Sequence, residues 1–389
     1  MKTRIDWVRE NCLLLLAIGE EFAATRPFAG KTIGTGIHLE PKTVVLLLTL
    51  QRGGACVVST GNLNTTQPVA VERLRNEDVT VIGGPTTDLA EQRRNLAAVL
   101  DHRPDIILDN GGDLFDLWRE RRHASLLGGT EETTSGRMRL EPLRADLAMP
   151  ILVINDSPIK QFAENEHAVG QSVLESYIRI TNRVTNGQRI TVFGYGACGR
   201  GVAANFRAAN AKVSVVDRDP LKRLEAHLDG YDTPSRETAL ASADVVITVT
   251  GGRKVVGPTD LSLLKDGAIL ANAGHFPVEI ETEAMAASPE VASRRTFEDG
   301  IEELTLADGR KIHILAGGHM VNLAGPRPMG NSIESMDLGF ALQARCLEAV
   351  ALGHVSASDC VMPVPRRIDE QVANAYLETR YPEEADPAR

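Results

Sequence analysis

The sequence predicts an α/β protein of two doubly wound domains, one inserted into the other. Three observations predict it. Short apolar β-branched runs recur along the chain, each emptying into a polar loop and then a stretch of helical spacing. One of these runs, Ile190-Thr191-Val192-Phe193, meets glycines at Gly194, Gly196 and Gly199, then a helical stretch and a second strand over 213–216 that ends on Asp217. That stretch lies mid-chain in 389 residues, so other structure must fill the first half.

Residues 4–24 set Val8, Cys12, Leu15, Ile18 and Phe22 at helical spacing. Strands are expected over 32–37, 55–59, 79–82 and 106–108, with helices over 42–50 and 88–100. Each strand runs into a polar loop, and in open parallel sheets ligands bind at those carboxyl ends. The cluster GGTEETTSG at 128–136 is expected as another polar loop, and 150–154 as another strand. A long helix over 168–186 leads to the glycine stretch, and later strands fall at 245–249, 268–271 and 312–316. The Gly/Pro-rich passage 324–331 reads as a hinge, followed by a helix over 336–352, an exposed loop and a polar tail. The expected division is a substrate-binding domain over 1–166, a dinucleotide domain over 167–330, and a return to the first domain over 331–389.

Each piece of 188–220 has a job in holding a dinucleotide. Gly194 makes the tight turn, Gly196 lets the backbone approach a pyrophosphate, and Gly199 lets helix and strand pack closely. The helix N-terminus offers free N–H groups and a positive dipole end. Asp217, about 20 residues on, can accept both ribose hydroxyls. A carboxylate there repels a 2′-phosphate, which favours NAD, although Arg218 beside it leaves NADP open. The predicted fold is therefore a Rossmann NAD-binding domain inserted in a substrate-binding α/β domain.

A net charge of −10 without a basic cluster argues against a nucleic-acid partner. No apolar run approaches the roughly 18–20 residues of a membrane span. The cluster at 13–16 sits behind charged residues without a cleavage site, so it is expected in a core helix of a cytoplasmic protein. The five cysteines are scattered, with no metal spacing, so reduced thiols and no metal are expected. Cys198 in the glycine loop is read as a small residue that fits the turn.

Five ionisable residues follow predicted strands: His38, Glu132, Lys160, Glu164 and His275. Singly, each has a bland reading as a solvated or capping residue. Together, beside an NAD site, they suit hydroxyl oxidation, with a lysine positioning or deprotonating the alcohol and NAD taking the hydride. Lys160 and Glu164, four apart, would share one face of a helical turn. Nothing in these residues alone says which alcohol.

The loops themselves are more specific. IHLEPKTVVLLLTL at 37–50, LNTTQ at 63–67, DNGGDL at 109–114, GGTEETTSG at 128–136, NDSPIKQFAEN at 155–165, GYGACGRG at 194–201, DGAILANAGHFPVEIE at 266–281, GGHMVNLAG at 317–325 and SMDLGFALQA at 335–344 run in order along nearly the whole chain. By these stretches the chain resembles S-adenosylhomocysteine hydrolase (adenosylhomocysteinase) in its shorter bacterial and archaeal form. The resemblance implies that bound NAD oxidises the ribose 3′-hydroxyl, which acidifies the C4′ hydrogen. Loss of that proton lets the 5′ thiol leave, water adds, and the stored hydride returns. The net reaction is reversible hydrolysis to adenosine and homocysteine. A homo-oligomer, tetramer or dimer, is implied as well.

Carried over by position, the resemblance gives Lys160 and Glu164 the 3′-hydroxyl and C4′ chemistry, and places Glu132, with Thr133, at the ribose hydroxyls. His38 and Asn110 fall near the 5′ leaving group, His275 near the nicotinamide, and Asn331 with the substrate. Gly194, Gly196, Gly199, Asp217, Thr250 and Asn272 are implied to hold NAD. Several positions depart from the family. Asn110 replaces an acid and cannot take a proton, and Glu164 replaces an Asp, adding a methylene. His167 and Ala168 stand for a Tyr and a Gly, and Gly330-Asn331-Ser332 stands for Gly-His-Pro after an unusual PRPM. Glu40 and Lys42 follow the short-form pattern. The tail YLETRYPEEADPAR is not expected to reach a neighbour's NAD, as longer members' tails do. Three readings follow: hydrolysis of S-adenosylhomocysteine or a close nucleoside thioether; the same 3′-oxidation applied to another nucleoside by an eliminase, epimerase or oxidoreductase; and an NAD-bound protein without catalysis.

Overall fold

Residues 2–298 and 300–381 are described by the structure, a computed structural model. The last eight residues of the tail lie outside that range. The chain divides into two compact units, one running to Gln161 and resuming at Ile333, the other Phe162–Ser332. Among the described residues no helix is long and apolar enough to cross a membrane.

The first unit is built on strands β1 (Thr32–Ile37), β2 (Cys56–Gly61), β3 (Thr80–Ile82), β4 (Ile106–Asp109), β5 (Gly128–Glu131) and β6 (Ile151–Val153). The second holds β7 (Arg189–Phe193), β8 (Lys212–Val216), β9 (Val245–Thr248), β10 (Ile269–Asn272), β11 (Val291–Thr296), β12 (Ile301–Leu306) and β13 (Lys311–Leu315). A last strand, β14 (Cys360–Pro363), returns to the first sheet beside β6.

The first sheet runs β14-β6-β5-β4-β1-β2-β3, all parallel. From β1 the chain winds outward to β3, then jumps back to β4 and winds the other way. The strand order therefore reverses between β1 and β4, where such sheets open a ligand crevice. The second sheet runs β11-β12-β13-β10-β9-β7-β8, with its reversal between β7 and β9 and an antiparallel hairpin at the β11 edge. Its central strands, β7, β9 and β10, are buried without alternation, as in a sheet covered on both faces. Val245 and Ile247 of β9 pack into one core and Val246 into the other.

Three departures from the sequence expectations have physical causes. The cluster at 128–131 is a buried strand rather than a loop. Its glycines are there for room: a Cβ on Gly129 would lie 1.8 Å from the Ile107 carbonyl oxygen of the next strand. The exposed loop and polar tail expected after 352 instead hold β14 and a helix, Arg366–Arg380, which buries only Ile368 and Val372.

The helix expected over 4–24 is two, Arg4–Asn11 and Leu13–Thr25, broken at Cys12. Asp337, from the Ile333–Ala351 helix, accepts hydrogen bonds from the Leu14 and Leu15 N–H groups at 2.8 and 2.9 Å, which stabilises the second helix's free end. Burial pushes the Asp337 carboxyl up to about 6. A carboxyl raised in the folded state contributes its full stability below the unfolded value and loses it as pH rises through the folded value. Wild type compared with Asp337→Asn should therefore lose about 2–3 kcal/mol between about pH 4 and about pH 7. Urea unfolding at each pH measures this, and parallel stability curves for the two proteins would refute it.

Candidate active site

At the first reversal point, β1 delivers His38, β4 delivers Asn110 and β5 delivers Glu132 and Thr133. A polar chain links these strand ends. Asn62, after β2, donates to Asn110 Oδ1 at 3.0 Å, and Asn110 Nδ2 donates to Glu132 Oε2 at 2.8 Å. Lys160 Nζ reaches Glu132 Oε1 at 3.4 Å. Asn110, Glu132 and Lys160 are buried, so their bonds compete with little water. The Asn110 amide is thereby oriented, its oxygen toward Asn62 and its nitrogen toward the carboxylate.

His38 is half-buried, with Nδ1 2.6 Å from Thr65 Oγ1. Next to it Glu40 and Lys42 form a buried ion pair at 2.8 Å. The Thr133 hydroxyl donates to Glu131 at 2.7 Å and accepts from the Gly136 N–H at 2.8 Å, so it caps the Thr134–Leu140 helix.

Lys160 opens a π-helical segment, Lys160–Ala168, that continues into the Val169–Thr181 helix. The sequence suggested an ordinary helical turn here; the wider i→i+5 winding is rare and frequent at functional sites. Lys160 belongs to the first unit and Glu164 to the second. Glu164 is buried and accepts a long hydrogen bond from Asn331 Nδ2 at 3.5 Å. Asn331 Oδ1 in turn accepts from Ser172 at 3.0 Å.

In the second unit, Gly194 ends β7 at φ +104°, and a Cβ there would lie 2.7 Å from the Val249 carbonyl oxygen. A Cβ on Gly199 would stand 2.0 Å from the Gly194 carbonyl oxygen. Gly196 differs: its φ is −73°, and a Cβ would meet nothing within 4 Å. It is the N-cap of the Ala197–Ala208 helix and provides no side-chain cap, which leaves that end to an anion. Asp217 accepts from the Tyr195 and Asp219 N–H groups at 2.8 and 2.9 Å, using two of its roughly four acceptor positions.

Thr250 and Asn272 spend their side chains inside the protein. The Thr250 hydroxyl donates to Glu279 at 2.7 Å. The Asn272 amide bonds the Gly274 N–H and the Gly274, Phe276 and Gly318 carbonyls, shaping the loop that carries His275. The half-buried His275 ring meets Phe276 edge-on at 4.5 Å. Nearby, Val321 N–H donates to the Asn272 carbonyl, and the next residue, Asn322, is buried with its Oδ1 unpartnered. An orphaned carbonyl there, an uncapped helix end and a ribose-side acid together fit a dinucleotide carrying a carboxamide.

Comparison with known proteins decides the family. The description "S-adenosyl-L-homocysteine hydrolase" matches residues 2–127, and "S-adenosyl-L-homocysteine hydrolase, NAD binding domain" matches residues 165–327. The chain belongs to the S-adenosyl-L-homocysteine hydrolase family. An adenosylhomocysteinase of Thermotoga maritima is 40% identical over 384 residues, covering 97% of this chain and 94% of that one. An S-inosyl-L-homocysteine hydrolase of Methanothermobacter thermautotrophicus is 39% identical over 383 residues, covering 96% and 90%. This S-adenosyl-L-homocysteine hydrolase family member is thus an enzyme with an NAD-binding Rossmann domain and a small-molecule substrate.

The structure brings Asn110, Glu132 and Lys160 together in one unit, and Glu164 with Asn331 in the other. Sequence reasoning missed Asn62, Asn322 and Glu279. Asn322 and Glu279 lie within the stretches 317–325 and 266–281, and Asn62 directly precedes 63–67, but polar side chains in loops carry no signal until their partners are known. Glu279 closes the Thr250-Gly251 turn, accepting both N–H groups at 2.9 and 2.8 Å.

Proposed function

We propose that the protein hydrolyses a nucleoside–homocysteine thioether, S-adenosyl-L-homocysteine or its hypoxanthine counterpart. The observation that carries this reading is the buried Asn110–Glu132–Lys160 chain at the reversal point of the first sheet. NAD, when bound, supplies the hydride acceptor for the ribose 3′-hydroxyl and returns the hydride at the end. Glu132 orients the ribose hydroxyls, and Lys160 Nζ takes and returns the 3′-hydroxyl proton. Glu164 removes the C4′ proton, with Asn331 holding one of its oxygens. Asn110 can orient the 5′ sulfur but has no proton to exchange, so that transfer falls to His38. Gly194, Gly196, Gly199 and Asp217 would hold the dinucleotide, with His275 on its nicotinamide side.

The amide at Asn110 also favours a second reading, in which 3′-oxidation survives on another nucleoside and the 5′ bond is left intact. One experiment separates them. The NAD-loaded protein is mixed with each thioether while free thiol and NADH absorbance are followed together. Thiol at catalytic turnover is the expected result. NADH without thiol would replace the hydrolase with the second reading, and neither signal with any nucleoside would end both. The enzyme is further proposed to be a cytoplasmic homo-oligomer, tetramer or dimer; sedimentation at a monomer's mass would remove the oligomer.

A further inference from the structure

We propose that Asp109 and Glu131 share one proton and act as positioning residues that hold Asn110 against Glu132, an inference that rests on the hydrolase reading for its effect on activity. The two are register partners at the ends of β4 and β5, and neither has exposed surface. Neighbouring strands lie about 4.8 Å apart with partner side chains on the same face.

Both carboxyls feed the same turn. Asp109 accepts from the Asn110 and Phe115 N–H groups, each at 3.0 Å. Glu131 accepts from Gly111 at 3.0 Å, Gly112 at 2.9 Å, and both the N–H and the hydroxyl of Thr133 at 2.7 Å. The Thr134–Leu140 helix sits directly on this carboxylate, since a Cβ on Gly136 would lie 2.1 Å from Glu131 Oε1.

Among the described residues neither carboxyl is paired with a cation: Arg139 is engaged with Asp113 and Asp116, and Lys160 with Glu132. From the Asp113–Glu120 helix, Asp113 adds a further negative charge, while Arg139 offsets part of it. The buried charges of the Ile333–Ala351 helix, Asp337 and Arg345, are turned away to Leu14, Leu15 and Glu21. Two buried carboxyls without a cation cannot both ionise cheaply, so the pair keeps a proton. Burial and the Asp113 charge push Asp109 up to about 7, and burial with Asp109 pushes Glu131 up as well. Glu131 has four donors to satisfy it and Asp109 two, which makes Asp109 the better carrier of the proton.

The next residue on each strand is a member of the polar chain. Asn110 and Glu132 bond at 2.8 Å directly beyond the pair. With one proton the carboxyls can sit side by side and keep that spacing. Without it, repulsion spreads β4 from β5 at this end, and ribose binding suffers before the chemistry does. Activity therefore falls as pH rises above neutrality, and the loss shows in KM before kcat.

The test combines infrared spectroscopy with pH profiles on the NAD-loaded full-length protein. Wild type at neutral pH should show the carbonyl stretch of a protonated carboxyl, and Asp109→Asn should lose it. The variant, neutral at every pH, should remove the alkaline limb of kcat/KM. Should Asp109→Asn fail to fold, Asp113→Asn, at the more exposed end of the cluster, should move that limb to lower pH. Absence of the wild-type band, its persistence in both Asp109→Asn and Glu131→Gln, or an unmoved limb in Asp113→Asn would overturn the pairing. A wild type that shows the band but cleaves neither thioether would sink the hydrolase reading and leave the pair standing.

Discussion

Lys160→Met should abolish NADH formation from any nucleoside and lower turnover about 100- to 10,000-fold, the range for a lost general acid–base group. The side chain keeps its length and apolar stem but loses the ammonium. Glu132 then stays buried without that cation, and breaking a buried ion pair costs about 3–5 kcal/mol. The 3.4 Å separation and the surviving bond from Asn110 place this case at the lower end. Melting temperature and NAD content of the variant must therefore be measured beside its rate. With both near wild type, the loss should lie in kcat, because Glu132 still meets the ribose. Thiol release within tenfold of wild type from a folded, NAD-loaded variant would remove Lys160 from the chemistry.

The glycine loop should separate folding from cofactor binding by a single methyl group. Gly199→Ala places a Cβ 2.0 Å from a backbone oxygen that cannot move without unwinding the turn, so both the fold and NAD should suffer. Gly196→Ala places the same methyl in open space on a backbone any residue adopts. Its NAD-free melting temperature should match wild type, while NAD affinity falls at least about 100-fold, because the methyl occupies the approach of the pyrophosphate. Calorimetry of NAD-free protein and titration with NAD read the two effects apart. Tight NAD binding by Gly196→Ala would mean the dinucleotide lies elsewhere.

The dinucleotide half was legible because its signals are local. Gly194, Gly196, Gly199 and Asp217 act through turn geometry and strand ends that a short window contains. The reversal point of the first sheet was legible only as a set of polar loops, since strand order is decided by packing that no window holds. The 128–131 strand was hidden because its glycines and Glu131 look like a loop, and only the neighbouring Ile107 carbonyl explains them. The break at Cys12 was hidden for the same reason: its cap, Asp337, lies 323 residues from Leu14. The bonding of Thr250 to Glu279 and of Asn272 to the His275 loop needed coordinates.

The turn after β4 also bears on how the chain ages. Asn110-Gly111 is a dipeptide prone to deamidation, in which the glycine nitrogen attacks the asparagine amide and leaves an acid behind. Here the attacking nitrogen is tied to Glu131 at 3.0 Å, and the amide it would attack is held by Asn62 at 3.0 Å and Glu132 at 2.8 Å. The folded protein thus shields its own asparagine from turning into an aspartate, whereas unfolded chain has no such protection.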